Sequence, residues 1–539
     1  MKLVTVAEMR AIEQEADANG LTYANMMENA GHGLAQEIEV LSYNLEDQEV
    51  LALVGPGNNG GDALVALVHL AADEWRVRAY LVRRNPAGDP LVERLQKAGG
   101  EILSAADDPD FEKLSAFIGT ADVVVDGLLG TGFKLPLKPE MAKVLDATNE
   151  AIASLEWPPY VVAVDCPSGL DCDSGEAAPE VIPASLTVCM AAIKCGLLQL
   201  PAFDLAGELR VVEIGLDDEK SWQAIRHEVA DDEIVAEILP DRPSDSYKGT
   251  FGTALVAAGS LSYPGAALLA GKAAYRAGAG LVQMAVPAPV QAMMASSLPE
   301  AIWSFLPHEM GAIAAGGAEI VSKNFERATA FLVGPGLGTE EPTAKFIEQL
   351  LKGKASAKKT VGIGFVHKSS ETKDENAASM PPMVVDADGL RLLAKIEKWN
   401  ELLPAPAILT PHPGEMAALT GLDKDEIQKD RLGIALKFAA EWGHVVVLKG
   451  AFTVIASPDG RATLIPVAHP ALARAGSGDV LAGLIVGLRA QGVEAYESAV
   501  AGAWIHAQAG LLAAEKIGSS ASVLAGDILE AIPDALNGF

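Results

Sequence analysis

Apolar residues along this chain keep two different rhythms. Over the first forty residues Met9, Ile12, Met26, Met27 and Ala30 fall at three-to-four spacing, which predicts helices. Residues 50–54, Val-Leu-Ala-Leu-Val, are apolar at every position, as expected of a strand buried on both faces of a parallel sheet. Runs at 77–82, 123–125, 160–164, 186–192 and 211–214 repeat that pattern. At Asp217-Asp218-Glu219-Lys220-Ser221-Trp222 the composition turns polar, and the alternation then starts afresh. A strand at 254–258, a helix at 265–277 and a strand at 281–286 follow, and later strands run into Gly334, Asp386, Thr410 and Lys449. Two successive series of alternating strands and helices predict two three-layer α/β domains, placed at 1–222 and 223–539. A chain of 539 residues is too long for one core. Residues 355–380 lose the periodicity and read as a surface insertion.

The chemistry-bearing residues cluster where these strands end. The run 50–54 leads into Gly55-Pro56-Gly57-Asn58-Asn59-Gly60-Gly61-Asp62 and then a helix, a mononucleotide-binding arrangement without the dinucleotide fingerprint. Four glycines and two asparagines exceed what a turn needs and favour a ligand. Asp126-Gly127-Leu128-Leu129-Gly130-Thr131-Gly132 and Asp165-Cys166-Pro167-Ser168-Gly169 close the strands at 123–125 and 160–164. Asn59, Asp126 and Ser168 are hard oxygen donors suited to an alkali or alkaline-earth cation, helix capping being the alternative. Asp165 suits an acid/base role or a simple Asx turn.

In the second series, Ala475-Gly476-Ser477-Gly478-Asp479 runs into an apolar helix over 480–488. Helix N–H groups behind such a turn make a phosphate seat, where Asp479 serves as a cap or as a general base for phosphoryl transfer. Lys449-Gly450-Ala451-Phe452-Thr453 offers a cation and N–H groups to a nucleotide, or is a surface hairpin. His412 stands between two prolines beside Glu415, and Asp386 and Asp388 serve as caps, as Mg²⁺ ligands, or as both.

Charge narrows the partners. The chain carries 41 basic and 72 acidic side chains, a net of −31, which repels nucleic acid and anionic membranes. Gly and Pro break the two long uncharged stretches, so these read as buried core rather than membrane spans. No basic-then-apolar leader opens the sequence, and Cys166, Cys172, Cys189 and Cys195 have spacing wider than zinc knuckles, so free thiols in a cytoplasmic enzyme are expected.

The motifs at 57–62, 126–132 and 164–171 resemble the NAD(P)H-hydrate epimerase domain. Those at 333–338, 386–390, 409–415 and 475–483 resemble the ADP-dependent NAD(P)H-hydrate dehydratase, and together they follow the order of the bifunctional repair enzymes. The resemblance implies a Rossmann-like first domain and a ribokinase-like second one. It implies that Asn58, Asn59, Gly60, Gly61 and Asp62, with Gly130, Thr131, Gly132, Phe133, Lys134, Leu135 and Pro136, hold the hydrated cofactor beside Asp165. Lys134 and Asp165 match the acid/base positions, and Asn59, Asp126 and Ser168 the K⁺ site. Substrate contacts of the second domain fall on Ala266, Gly338, His412 and Asp479, and adenine-nucleotide contacts on Lys449, Gly450, Ala451, Phe452, Thr453 and Gly478. ADP is the implied phosphoryl donor, with Mg²⁺, and a homo-oligomer is expected. The competing reading is a ribokinase-like kinase for a vitamin precursor, with a nucleotide-binding regulatory module in front.

Overall fold

A computed structural model describes residues 1–41, 48–353 and 379–539; all but the last two residues of the expected insertion at 355–380 lie outside the described residues. The chain forms two compact units, Met1–Val229 and Ala230–Phe539, where the sequence placed the break at 222/223.

The first unit is built on a parallel sheet whose strands lie in the order Glu101–Ser104, Arg76–Leu81, Glu49–Val54, Val123–Gly127, Tyr160–Val164, Leu186–Met190 and Glu208–Val212. Alternate residues of the central strand feed opposite cores. Val50, Ala52 and Val54 pack beneath Met9, Ile12, Leu34 and Leu64, while Leu51 and Leu53 pack against Leu114, Val144 and Leu145 on the other face. That two-sided burial is why the strand is apolar throughout. The chain leaves Glu49–Val54 toward one edge and returns to build the other from Val123–Gly127 onward. The order therefore reverses between these neighbours, and the crevice at their carboxyl ends is where ligands bind in such sheets. The edge strand Glu101–Ser104 was missed in the sequence because its residues are half-exposed and mixed in polarity.

In the second unit the strands run Ala462–Leu464, Val454–Ala456, Val445–Leu448, Ile408–Leu409, Met383–Val385, Ala330–Val333, Thr253–Ala257, Leu281–Pro287 and Ile302–Leu306, parallel from Val445–Leu448 onward. The order reverses between Thr253–Ala257 and Ala330–Val333. Helix Ser477–Ala490 lies on helix Pro264–Arg276 at close range. A Cβ on Gly483 would come within 2.4 Å of the Ala270 carbonyl oxygen, and one on Gly487 within 2.6 Å of that of Ala274, so only glycine permits this approach. Both units are thus three-layer α/β structures, as expected. Among the described residues no helix is long and apolar enough to cross a membrane, and the four cysteines are free thiols.

Candidate functional site

The helix Asn58–Ala72 starts directly behind Gly57, so Asn58, Asn59, Gly60, Gly61 and Asp62 form its first turns and not the loop their composition suggested. Glycine makes this possible: a Cβ on Gly60 would stand 2.2 Å from the Gly55 carbonyl oxygen, so the helix presses onto the strand end. Gly61 likewise faces Met27. The helix N-terminus, with its free N–H groups, therefore opens at the switch point.

A cavity of about 880 Å³ occupies that crevice. Asn58, Asn59 and Asp62 line it from the helix start, Gly130, Thr131, Gly132, Phe133, Lys134 and Pro136 from the loop after the strand Val123–Gly127, and Asp165 from the end of the strand Tyr160–Val164. Gly60, Gly61 and Leu135 do not reach its wall. Arg10, Glu13 and Arg83, which the sequence reading passed over, do.

Under the cavity the three expected cation ligands are knit together. Asp126 is fully buried; it accepts from the Ser168 amide at 2.7 Å and the Ser168 hydroxyl at 2.6 Å. The Ser168 hydroxyl in turn accepts from the Leu129 amide at 2.8 Å, and the Asn59 side chain faces the Leu129 and Val164 carbonyls. Burial raises the Asp126 carboxyl above its ordinary range, its hydrogen bonds to Ser168 opposing that.

Asp165 sits in the left-handed region at φ 64°, unusual for a residue with a side chain. Its carboxylate accepts from the Met190 amide at 2.9 Å and forms an ion pair with the Lys194 ammonium, so it closes no Asx turn. Lys194 is 1% exposed and also donates to the carbonyls of Met190 at 3.0 Å and Ala192 at 3.1 Å. Burial, the largest single cause, pulls its ammonium down, but the charge and hydrogen bond of Asp165 together with the neighbouring Cys189 and Cys172 outweigh it, and the net shift is upward. Lys134 is exposed on the cavity wall; the cation paired with Asp165 is Lys194 instead. Asp62 is pushed well up by burial and by the charges of Asp165 and Glu13.

In the second unit Gly476, at φ 93°, opens helix Ser477–Ala490 without a side-chain cap. Asp479 is in its first turn, yet it makes no capping hydrogen bond, which leaves the carboxyl free for other work. Burial first, and the Asp386 charge next, raise it to about 7, with Lys449 opposing. The Lys449 ammonium donates to Asp386 at 2.6 Å and lies 3.8 Å from Glu415. It also stands 3.3 Å from where a Cβ on Gly478 would be, which brings the two motifs together. Thr410 donates to the same Asp386 oxygen at 2.6 Å, while the other Asp386 oxygen is buried with no hydrogen-bond partner.

Lys449, Gly450, Ala451, Phe452 and Thr453 span the turn between antiparallel strands Val445–Leu448 and Val454–Ala456, so the hairpin reading was right about the shape; its lysine, however, is an ion-paired one. His412 caps helix Pro413–Thr420: its Nδ1 accepts from the amides of Gly414 at 2.9 Å and Glu415 at 3.2 Å. Gly338, at φ 79°, donates to Asp388 at 2.9 Å, and Ala266 packs beside Gly336 at the start of helix Pro264–Arg276.

Comparison with known proteins assigns both units. Residues 254–534 match a family described as NAD(P)H-hydrate dehydratase, and residues 23–196 one described as YjeF-related protein N-terminus. The bifunctional NAD(P)H-hydrate repair enzyme of Moorella thermoacetica is 36% identical over 99% of this chain and 97% of its own length. The chain belongs to the bifunctional NAD(P)H-hydrate repair family. Its Escherichia coli member is 31% identical over 98% of this chain and 92% of its own length. A crystal structure of the ADP/ATP-dependent NAD(P)H-hydrate dehydratase of Bacillus subtilis, co-crystallised with ATP/Mg²⁺, is 30% identical, with a TM-score of 0.46, covering 58% of this chain and 99% of that one. Within this repair family's layout, Arg10 and Glu13 precede the first matched stretch. Lys194 follows closely behind the apolar run 186–192, its one mark in the sequence; nothing marked Glu13 beyond its place on an amphipathic helix.

Proposed function

We propose that this chain restores hydrated NADH and NADPH: the first unit interconverts the R and S epimers of the hydrate, and the second dehydrates the S form with ADP, giving AMP and phosphate. The carrying observation is Asp479, a buried carboxyl raised to about 7 at the open N-terminus of a helix, beside the Lys449–Asp386 pair. A hydroxyl on the hydrated ring is a poor leaving group. With Asp479 accepting its proton, it attacks the terminal phosphoryl group of ADP, and AMP departs. The first-turn N–H groups behind Gly476 and the Lys449 charge stabilise negative charge gathering on the transferred group. Phosphate then leaves the ring carbon as the nitrogen lone pair forms C=N⁺, and loss of a proton from the neighbouring ring carbon to the departing phosphate restores the double bond of the reduced nicotinamide. The turn Lys449 to Thr453 and Gly478 would seat the nucleotide, while Ala266, Gly338 and His412 would border the hydrate.

Mg²⁺ fits the unpartnered buried oxygen of Asp386 together with Asp388, and would neutralise diphosphate charge. K⁺ fits the set of Asn59, Asp126 and Ser168, because Asp126 is a fully buried carboxylate without an ion-pair partner among the described residues. Such an ion would tie the helix start to two strand ends. In the first unit Asp165 supplies an acid/base group with the Lys194 counter-charge behind it, and Asn58 to Asp62 with Gly130 to Pro136 enclose the hydrate. The acidic surface and free thiols suit the cytosol.

The test is to incubate hydrated NADH with ADP and follow reduced-nicotinamide absorbance together with AMP and phosphate. Equal appearance of all three is expected. A phosphorylated product that persists would favour the kinase alternative, which the full-length likeness to repair enzymes disfavours.

A further inference from the structure

The first unit's cavity holds a carboxyl that neither the family motifs nor the matched stretch includes. Glu13 lies on helix Val6–Asn19, whose residues Arg10, Glu13 and Gln14 face the cavity at helical spacing. The helix is firmly placed. Thr5 and Glu8 form a reciprocal cap at its start, the Val6 amide donates to Asp173 at 2.8 Å, and Met9, Ile12 and Ala16 are buried on its inner face. Glu13 is half-buried and has no hydrogen bond or ion pair among the described residues, although it sits in the field of Asp165 and Lys194. Asp165, which lines the same cavity, has by contrast a buried ammonium bound to it.

We propose that Glu13 is a further catalytic residue of epimerisation, the acid that works together with Asp165 in the same cavity. This rests on the epimerase reading of the first unit. The hydroxylated carbon of the hydrate is bonded to the ring nitrogen, so its C–O bond breaks once the hydroxyl is protonated. Glu13 gives its proton to that hydroxyl, the C–O bond breaks with loss of water, and the nitrogen lone pair forms a C=N⁺ bond. A second water attacks the other face of the now planar carbon and gives its proton to the Asp165 carboxylate, and the C=N electrons return to nitrogen. One proton has passed from Glu13 to Asp165, and exchange with the water in the cavity returns both groups to their starting state before the next turnover. Burial leaves the Glu13 carboxyl above its ordinary range against the opposing charge of Lys194, with Asp165 adding to the rise and Arg10 opposing it, which suits a donor. The other groups facing it are Asp62, Tyr23 and Arg10, and none supplies a fixed cation directly on its carboxyl.

The experiment uses the full chain and pure R hydrate of NADH without ADP, and measures S hydrate by chiral chromatography in H₂¹⁸O. Dehydration of S hydrate with ADP, measured separately, reports that the variants are folded. Glu13→Gln is expected to lower the epimerisation kcat by about a hundredfold or more, the usual range for a lost general acid. Glu13→Asp should restore part of it, and Lys134→Gln should act mainly on KM. Wild-type product should carry one solvent oxygen per inversion, and the fall in rate at high pH should disappear in Glu13→Gln. A Glu13→Gln variant within threefold of wild type with an unchanged pH profile overturns the proposal, as does product that retains its original oxygen. A wild-type chain that leaves R hydrate unconverted overturns the epimerase reading itself.

Discussion

Each unit places a lysine and an aspartate at the ends of parallel strands, but the pairing differs. In the first, Lys194 binds the candidate acid/base residue itself, Asp165. In the second, Lys449 binds Asp386, and the candidate base Asp479 is left beside the pair with its carboxyl raised to about 7. A lysine on the reacting carboxylate holds it in place. A lysine one residue removed leaves the reacting carboxyl between two opposing charges, at about 7, where a general base works best. The same residue types thus give one carboxylate anchored by an ion pair and one standing beside such a pair, and the choice lies in which partner the fold brings to the ammonium.

The sharpest break in this comparison is Asp479→Asn. It keeps size and removes the base, so dehydration kcat should fall by about 10²–10⁴-fold. ADP binding by calorimetry and epimerisation should remain. Dehydration at the wild-type rate would assign the proton to another group. Next comes Lys194→Met, which leaves Asp165 buried without its counter-charge. Breaking one side of a buried pair costs about 3–5 kcal/mol, so denaturant unfolding should show that loss, with epimerisation falling alongside it. The double change Lys194→Met with Asp165→Asn should recover much of the stability and none of the activity. If the single change costs under about 1 kcal/mol, the size typical of exposed pairs, Lys194 does not anchor Asp165 as described.

These pairings mark the limit of what the sequence could tell. Strand ends were legible because a buried parallel strand is apolar at every position and its loop then turns polar and glycine-rich, as at Val50 to Asp62. The domain series, Asp165, Asp126 with Ser168, and Asp479 followed from that. Pairings between distant positions did not: Lys194 meets Asp165 from 29 residues away, and Lys449 meets Asp386 from 63. Only strand order decides which ends become neighbours. Glu13 was hidden for the same reason, since a helix pattern shows which face is apolar but not which cavity the polar face borders. The helical start at Asn58 was misread as loop because Gly-rich composition marks backbone freedom, whether it serves a turn or a close approach.

The titration itself sharpens the comparison further. Below about 7 Asp479 holds its proton and cannot accept another, so kcat/KM for dehydration should rise about tenfold per pH unit up to about pH 7 and level off above it. Because the folded carboxyl binds its proton more tightly than an unfolded one, stability should fall over the same window as pH rises from the ordinary carboxylate range to about 7. Lys449 holds Asp479 down, so Lys449→Met should move the activity limb to higher pH. A limb that stays in place in that variant would separate Lys449 from the base.

The smallest effect concerns the cation proposed at Asn59, Asp126 and Ser168. Asp126 is buried, its carboxyl raised above the ordinary range, with only hydrogen bonds from Ser168 and Leu128 to support it, whereas the second unit's buried Asp386 already has Lys449. A monovalent ion would supply in the first unit what a lysine supplies in the second. Replacing K⁺ by tetramethylammonium should therefore slow epimerisation several-fold, the size expected when a scaffold under Asn59 and Gly130 loosens rather than when a reacting group is lost. Dehydration should not change. Asp126→Asn removes the charge that the ion would balance while keeping the shape, so in that variant the response to K⁺ should vanish. Equal slowing of both reactions in the potassium-free buffer would trace the effect to the whole chain, and an undiminished K⁺ response in Asp126→Asn would place the ion elsewhere.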